Sequence, residues 1–217
     1  MPQVTLTISS KNYSSWSLRG WLMVKQSGVK FKEIAVSPDD PEARAEILLL
    51  SPSIRVPCLD YDGIRVWDTL AIGEFMNEIA PKAGMLPTDQ MQRAHCRSIC
   101  GEMHSGFSAL RSSLPMNIKA SFPKFKVWSK AQADIGRIQD IWRECLDAYG
   151  GPFLFGKFSI ADAMYAPVVT RFRTYGVELD KDCQGYCDAI WNAAHMQEWI
   201  MAAQQEADDF EELEVEF

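Results

Sequence analysis

The sequence predicts two parts, an α/β domain followed by an all-α domain, and three observations carry the prediction. Strand-like and helix-like segments alternate through residues 1–80, the breaker-rich stretch Pro81-Lys82-Ala83-Gly84-Met85-Leu86-Pro87 follows, and only helical spacing appears beyond it. The expected boundaries are therefore 1–80, a linker at 81–88, and 89–217.

Each element has its own signal. Residues 4–8 alternate polar and apolar and run into Ser9-Ser10-Lys11-Asn12, a strand ending in a loop. A helix follows, with apolar Leu18, Trp21, Leu22 and Val24 on its body and Gly28 as its left-handed stop. Residues 29–36 read as a second strand, and Asp39-Asp40-Pro41-Glu42 opens a second helix with acids and a proline in its first turn. Asp62-Gly63 is a two-residue hairpin turn between the segment containing Val56-Pro57-Cys58 and the strand Ile64-Arg65-Val66-Trp67. Pro57 must then sit at a strand's edge or start, since it cannot donate to the ladder. Asp68 or Thr69 caps a helix over 70–79, so the order is β-α-β-α-β-β-α. Helices are expected at 89–114, 124–149, 160–175, 183–191 and 196–207. The fourth residue of Ser159-Ile160-Ala161-Asp162 completes a capping box, with Phe158 placed as its staple.

Composition narrows the function. The chain has 217 residues, 47% hydrophobic and 24% charged, enough for a real core. It carries a net charge of −7, which argues against nucleic acid as a general partner. No apolar run is long enough to span a membrane and the first residues do not read as a signal peptide, so a cytoplasmic location is expected. Much of the acidity lies in 206–216 and is expected to be solvated. The six cysteines are spread along a chain with ample core, which favours buried thiols over disulfides. Cys96, Cys100 and His104 recur every four residues, but the outer two are about 12 Å apart along a helix and cannot close on one zinc ion. No metal is implied.

The element order, with Tyr13-Ser14-Ser15-Trp16-Ser17-Leu18-Arg19, Arg55-Val56-Pro57 and Trp67-Asp68-Thr69-Leu70-Ala71-Ile72, resembles the cytosolic glutathione transferases over essentially the whole chain. The first motif is similar to the serine-rich turn of the zeta-class branch. The resemblance implies a thioredoxin-like glutathione-binding domain at 1–80, a cis Pro57, backbone pairing at Val56 with the cysteinyl part of glutathione, and a site for the γ-glutamyl group at Asp68 and Thr69. It further implies an electrophile pocket on the first long helix of the second domain, at Glu102, Met103, His104, Phe107 and Arg111, and a two-fold homodimer. Thr69 stands where serine is usual, and Trp16 stands where zeta-class enzymes carry the cysteine associated with maleylacetoacetate isomerase activity. The turn holds no cysteine, which disfavours thiol-disulfide exchange.

The chemistry fits these residues. A thiol with a pKa near 8 to 9 must be held as thiolate to act near neutral pH. A hydroxyl at a helix N-terminus combines a hydrogen-bond donor with the positive end of the dipole. Ser14 is the expected thiolate donor and Ser15 its support, with Tyr13 as the rival; ordinary helix capping is the structural alternative. Asp68 and Thr69 supply an acceptor for an α-ammonium and a donor for its carboxylate. Arg55 is a candidate for the glycyl carboxylate, or a solvated edge cation. Phe107 fits a core position as well as a pocket, and His104 and Arg111, seven apart, are expected on one helical face. The expected activity is conjugation or isomerisation of a small electrophile by glutathione as co-substrate. The alternative is a non-catalytic, transferase-shaped binding or regulatory protein.

Overall fold

The computed structural model describes residues 2–36 and 55–207. The predicted helix beginning at Asp39 lies outside them. Four strands, β1 (Val4–Ile8), β2 (Lys32–Ala35), β3 (Cys58–Tyr61) and β4 (Ile64–Trp67), form one sheet in the order β2-β1-β3-β4. β1 pairs parallel with β2 and antiparallel with β3, and β3 with β4 antiparallel. The hairpin turns at Asp62 and Gly63, both at positive φ, as its residue types require. Pro57 precedes central β3 without entering its ladder, and the Val56–Pro57 peptide is cis.

Helices α1 (Ser15–Gln26) and α2 (Thr69–Ile79) pack against each other, with Gly20 facing buried Ile72 and Gly73 facing buried Met23. Gly20 lets α1 approach Pro57 closely, because a β-carbon there would lie 2.5 Å from the proline ring. A short 3-10 turn at Pro81–Ala83 leads to the helical part. That part comprises α3 (Gln90–Ser105), α4 (Ser108–Ser113), α5 (Ser129–Tyr149), α6 (Ile160–Tyr175), α7 (Lys181–Trp191) and α8 (Ala194–Gln205). Helix α6 is buried along nearly its whole length and packs against α1, α3 and α7. It ties the sheet domain to the helical one, and its capping box between Ser159 and Asp162 forms as the sequence predicts. The Phe158 ring meets Phe153 edge to face.

Three expectations need correction. The predicted helix 89–114 is two helices, because Gly106 leaves helical geometry (φ −103, ψ −171) and Phe107 turns left-handed (φ 60). A β-carbon at Gly106 would sit 2.7 Å from the Glu102 carbonyl oxygen. Asp134 then accepts from the Leu110 N–H at 2.9 Å, satisfying a donor of the new first turn. Helix α5 begins at Ser129 instead of 124: the chain before it is held by Phe122 N donating to the Thr174 carbonyl and by Phe125 packing on Tyr175. Glu206 is half-buried and hydrogen-bonded, contrary to the solvated tail expected from 206 onward.

All six cysteines are buried and none is in a disulfide. Burial pushes the Cys145 and Cys183 thiols up to about 12, and contact with Cys96 together with burial pushes Cys100 well above its ordinary value. Among the described residues, no group of three or more His, Cys, Asp or Glu is placed to hold a metal, and no helix is long and apolar enough to cross a membrane.

Candidate active site

The N-termini of α1 and α2 are linked through Trp16 and His104, at the joint between the sheet and the helices. Ser14 is the N-cap of α1, and its hydroxyl oxygen accepts from the Ser17 N–H at 3.3 Å. The same hydroxyl donates to Ser17 Oγ at 2.9 Å, and Ser17 Oγ accepts from the Ser9 N–H at 3.0 Å. Ser17 keeps a proton of its own, so the pair can reverse: Ser17 then donates to Ser14, whose proton is released for an anion. Ser14 retains 8% of its surface, whereas Ser15 is fully buried and accepts from the Arg19 guanidinium at 3.3 Å. The two neighbouring serines therefore have different surroundings, one at the helix mouth and one in the interior.

Asp68 and Thr69 open α2. Asp68 adopts φ 74, ψ 135, a conformation rare for a residue with a side chain, and its Oδ1 accepts from the Leu70 N–H at 2.9 Å. Thr69 is 1% exposed, and its hydroxyl has no hydrogen-bond partner among the described residues. A buried orphan hydroxyl costs about 1–3 kcal/mol. Its place beside the first N–H groups of a helix makes it a donor suited to a carboxylate. Arg55 is exposed, Val56 half-buried and Pro57 buried against Gly20 of α1.

The residues expected to form the electrophile pocket have other engagements. His104 Nε2 lies 2.5 Å from Asp68 Oδ2, so the helical domain reaches the mouth of α2. The His104 ring also lies 5.1 Å from the Trp16 ring. Arg111 does not share a helical face with His104, because the helix breaks between them. Its guanidinium donates to the carbonyls of Met103 and His104 at the end of α3 and lies 5.1 Å from the Trp16 ring centre. Phe107 is buried at the break between α3 and α4.

Three participants escaped the sequence reading. Trp16 joins the Ser14 turn to His104 and thus to Asp68, and the Arg19 guanidinium packs 4.4 Å over it. Arg19, fully buried, donates to the Met164 carbonyl at 2.9 Å and so fastens α1 to α6. Glu206 binds the loop before Ser14. The first two lie within the motif of residues 13–19, but only folding supplies their partners, 145 residues away for Met164.

Comparison with known proteins agrees with this architecture. Residues 13–79 match the glutathione S-transferase N-terminal domain and residues 126–195 the glutathione S-transferase C-terminal domain. A probable maleylacetoacetate isomerase of Caenorhabditis elegans is 31% identical over 98 residues, so that match spans 45% of each chain. The maleylacetoacetate isomerase of Rattus norvegicus is 28% identical over 167 residues, 76% of each chain. Among solved structures, a glutathione transferase homolog from Burkholderia with bound glutathione has a TM-score of 0.72 at 22% identity, covering 95% of this chain and 100% of that one. Glutathione transferase F2 from Populus trichocarpa reaches 0.75 at 16%, covering 94% and 100%.

Proposed function

Because this chain belongs to the glutathione transferase family, with both of its domains represented, we propose that it uses glutathione to conjugate or isomerise a small electrophile. The observation that carries the reading is the orphan hydroxyl of Thr69, buried at the N-terminus of α2 beside the strained Asp68. A γ-glutamyl group brings one carboxylate and one ammonium. Thr69 and the free N–H groups of the helix suit the first, and the Asp68 carboxylate suits the second. The backbone of Val56 pairs with the cysteinyl part, and exposed Arg55 meets the glycyl carboxylate.

The thiol then lies at the mouth of α1. As its proton passes to solvent, the Ser14 hydroxyl turns from Ser17 toward the sulfur and Ser17 donates to Ser14 in its place. The helix dipole adds to this stabilisation of the thiolate. Ser15 supports the turn from the interior through Arg19. Trp16, His104, Phe107 and Arg111 border the side from which the electrophile approaches. The protein works as a cytoplasmic homodimer; exposed Ile64 and Trp67 on edge strand β4 and Met91 on α3 offer apolar surface for that contact.

The test is the ultraviolet thiolate absorbance of the glutathione complex against pH. Ser14→Ala removes a hydrogen bond to an anion, about 1.5–3 kcal/mol, and so should raise the bound thiol's pKa by about one to two units. Tyr13→Phe should leave the curve in place. The reverse result would transfer the role to Tyr13.

A further inference from the structure

The turn that presents Ser14 is held from the other end of the chain. Glu206, directly after α8, directs its carboxylate into residues 10–12. Its Oε2 accepts from Ser10 Oγ at 2.8 Å and from the Asn12 N–H at 3.0 Å, and its Oε1 accepts from the Lys11 N–H at 2.5 Å. Ser10 relays the constraint. Its hydroxyl oxygen accepts from the N–H groups of Asn12 and Tyr13 at 3.1 and 3.2 Å, and its carbonyl accepts from the Ser14 N–H at 3.0 Å.

A second anchor comes from the loop after α4. Buried Asn12 accepts from the Lys119 N–H at 2.9 Å and donates through Nδ2 to Asn117 Oδ1 at 3.1 Å, while its carbonyl accepts from the Ile118 N–H at 3.3 Å. The two anchors are themselves joined, since the Lys119 ammonium donates to the Glu206 carbonyl. Trp199 of α8 adds an indole N–H to the Lys11 carbonyl at 2.9 Å. A loop that would otherwise sample several conformations is thus fixed by charge-assisted bonds to a carboxylate, which are stronger than neutral ones.

From this arrangement we infer that Glu206 is a positioning residue for catalysis: it sets the Ser10–Tyr13 turn so that the Ser14 hydroxyl meets the glutathione sulfur. The inference rests on the reading of Ser14 as thiolate donor. Its effect runs through geometry and not through charge. A carboxylate brought near a thiolate opposes ionisation, so a purely electrostatic role would make removal of Glu206 lower the thiol's pKa. A positioning role makes removal raise it, because the donor is lost or misaimed.

The experiment measures bound-thiol titration, glutathione affinity and melting temperature for Glu206→Ala, Glu206→Gln, Ser10→Ala and Ser14→Ala. Glu206→Ala should raise the thiol's pKa by about half to one unit, and turnover at neutral pH should fall about three- to tenfold, with affinity changed less than about twofold. Glu206→Gln, which keeps one acceptor and the shape, should recover part of the loss. Ser10→Ala breaks the relay from the other side and should give a smaller rise, so the idea stays open to refutation if Glu206→Ala does not fold. Combining Glu206→Ala with Ser14→Ala should be no worse than Ser14→Ala alone, since both act through one hydroxyl. A displaced curve for Ser14→Ala with unmoved curves for Glu206→Ala and Ser10→Ala would overturn the inference and leave the Ser14 reading standing. So would a lower melting temperature with an unmoved curve, which would make Glu206 a fastener of α8. Downward shifts for both Glu206 variants would replace positioning by charge and overturn it as well. An unmoved curve for Ser14→Ala would instead remove the Ser14 reading.

Discussion

Asp68 and Asp162 do the same local work, each accepting a backbone N–H at the start of a helix, yet their surroundings suit them to opposite uses. Asp162 is fully buried and its carboxylate is filled from within: Leu154 N–H at 3.1 Å on one oxygen, Ser159 N–H and hydroxyl at 2.8 and 2.9 Å on the other. Asp68 is exposed, sits at φ 74, uses one oxygen for its helix and turns the second outward to His104. A residue that satisfies every bond internally builds stability. One that holds an uncommon backbone conformation and leaves an oxygen within reach of other groups is available for a ligand, and the orphan hydroxyl of adjoining Thr69 points the same way.

The comparison breaks most readily at Asp162. Replacing it with alanine strands two buried N–H groups and should cost about 2–4 kcal/mol in urea unfolding at neutral pH, while the folded fraction keeps its glutathione affinity. An intact stability with a lost affinity would exchange the two aspartates' roles. Asp68→Ala should do the opposite, weakening glutathione about tenfold by calorimetry, the loss of one charge-assisted interaction, with a smaller loss of stability, about 1 kcal/mol, from its exposed cap; Arg55→Ala should weaken binding less. If Arg55→Ala proved the more harmful, the γ-glutamyl end would be misplaced.

A smaller effect sharpens the contrast. Burial raises the Asp162 carboxyl to about 6 from an ordinary 3.8, outweighing the hydrogen bonds that lower it. A raised folded-state value means that the folded protein takes up the proton first. The associated stabilisation is therefore complete below pH 3.8 and disappears as pH rises through 6. The unfolding free-energy difference between the parent and Asp162→Ala should then be larger at pH 5 than at pH 7, by about 1 kcal/mol. A difference that shrank on acidification would show that Asp162 is held as the anion.

Local codes were readable in advance and long-range ones were not. The Asp62-Gly63 turn, the Ser159–Asp162 box and the placement of Ser14 and Asp68 at helix starts depend on neighbours within a few residues, where residue type nearly dictates conformation. The break at Gly106 was hidden because Gly101, five residues earlier, sits within α3 without ending it. What distinguishes the two is the backbone that follows: Phe107 goes left-handed and Asp134, 24 residues on, accepts the Leu110 N–H. His104 meeting Asp68 across 36 residues, and Glu206 meeting Ser10 across 196, leave no periodicity to read. An acidic terminal run looks solvated until folding supplies donors for one of its members.

The buried thiols carry a consequence for the proposed chemistry on electrophiles. Glutathione reaches such reagents as a thiolate, and any cysteine of the protein in the same state would be alkylated alongside it. Here every cysteine is packed inside, and burial holds Cys145 and Cys183 protonated far above neutral pH. With the serine-rich turn supplying hydroxyls and no sulfur, the reactive thiol at the proposed active site arrives with the co-substrate. The protein is spared as its own victim, because the only sulfur the proposed chemistry exposes belongs to a replaceable small molecule.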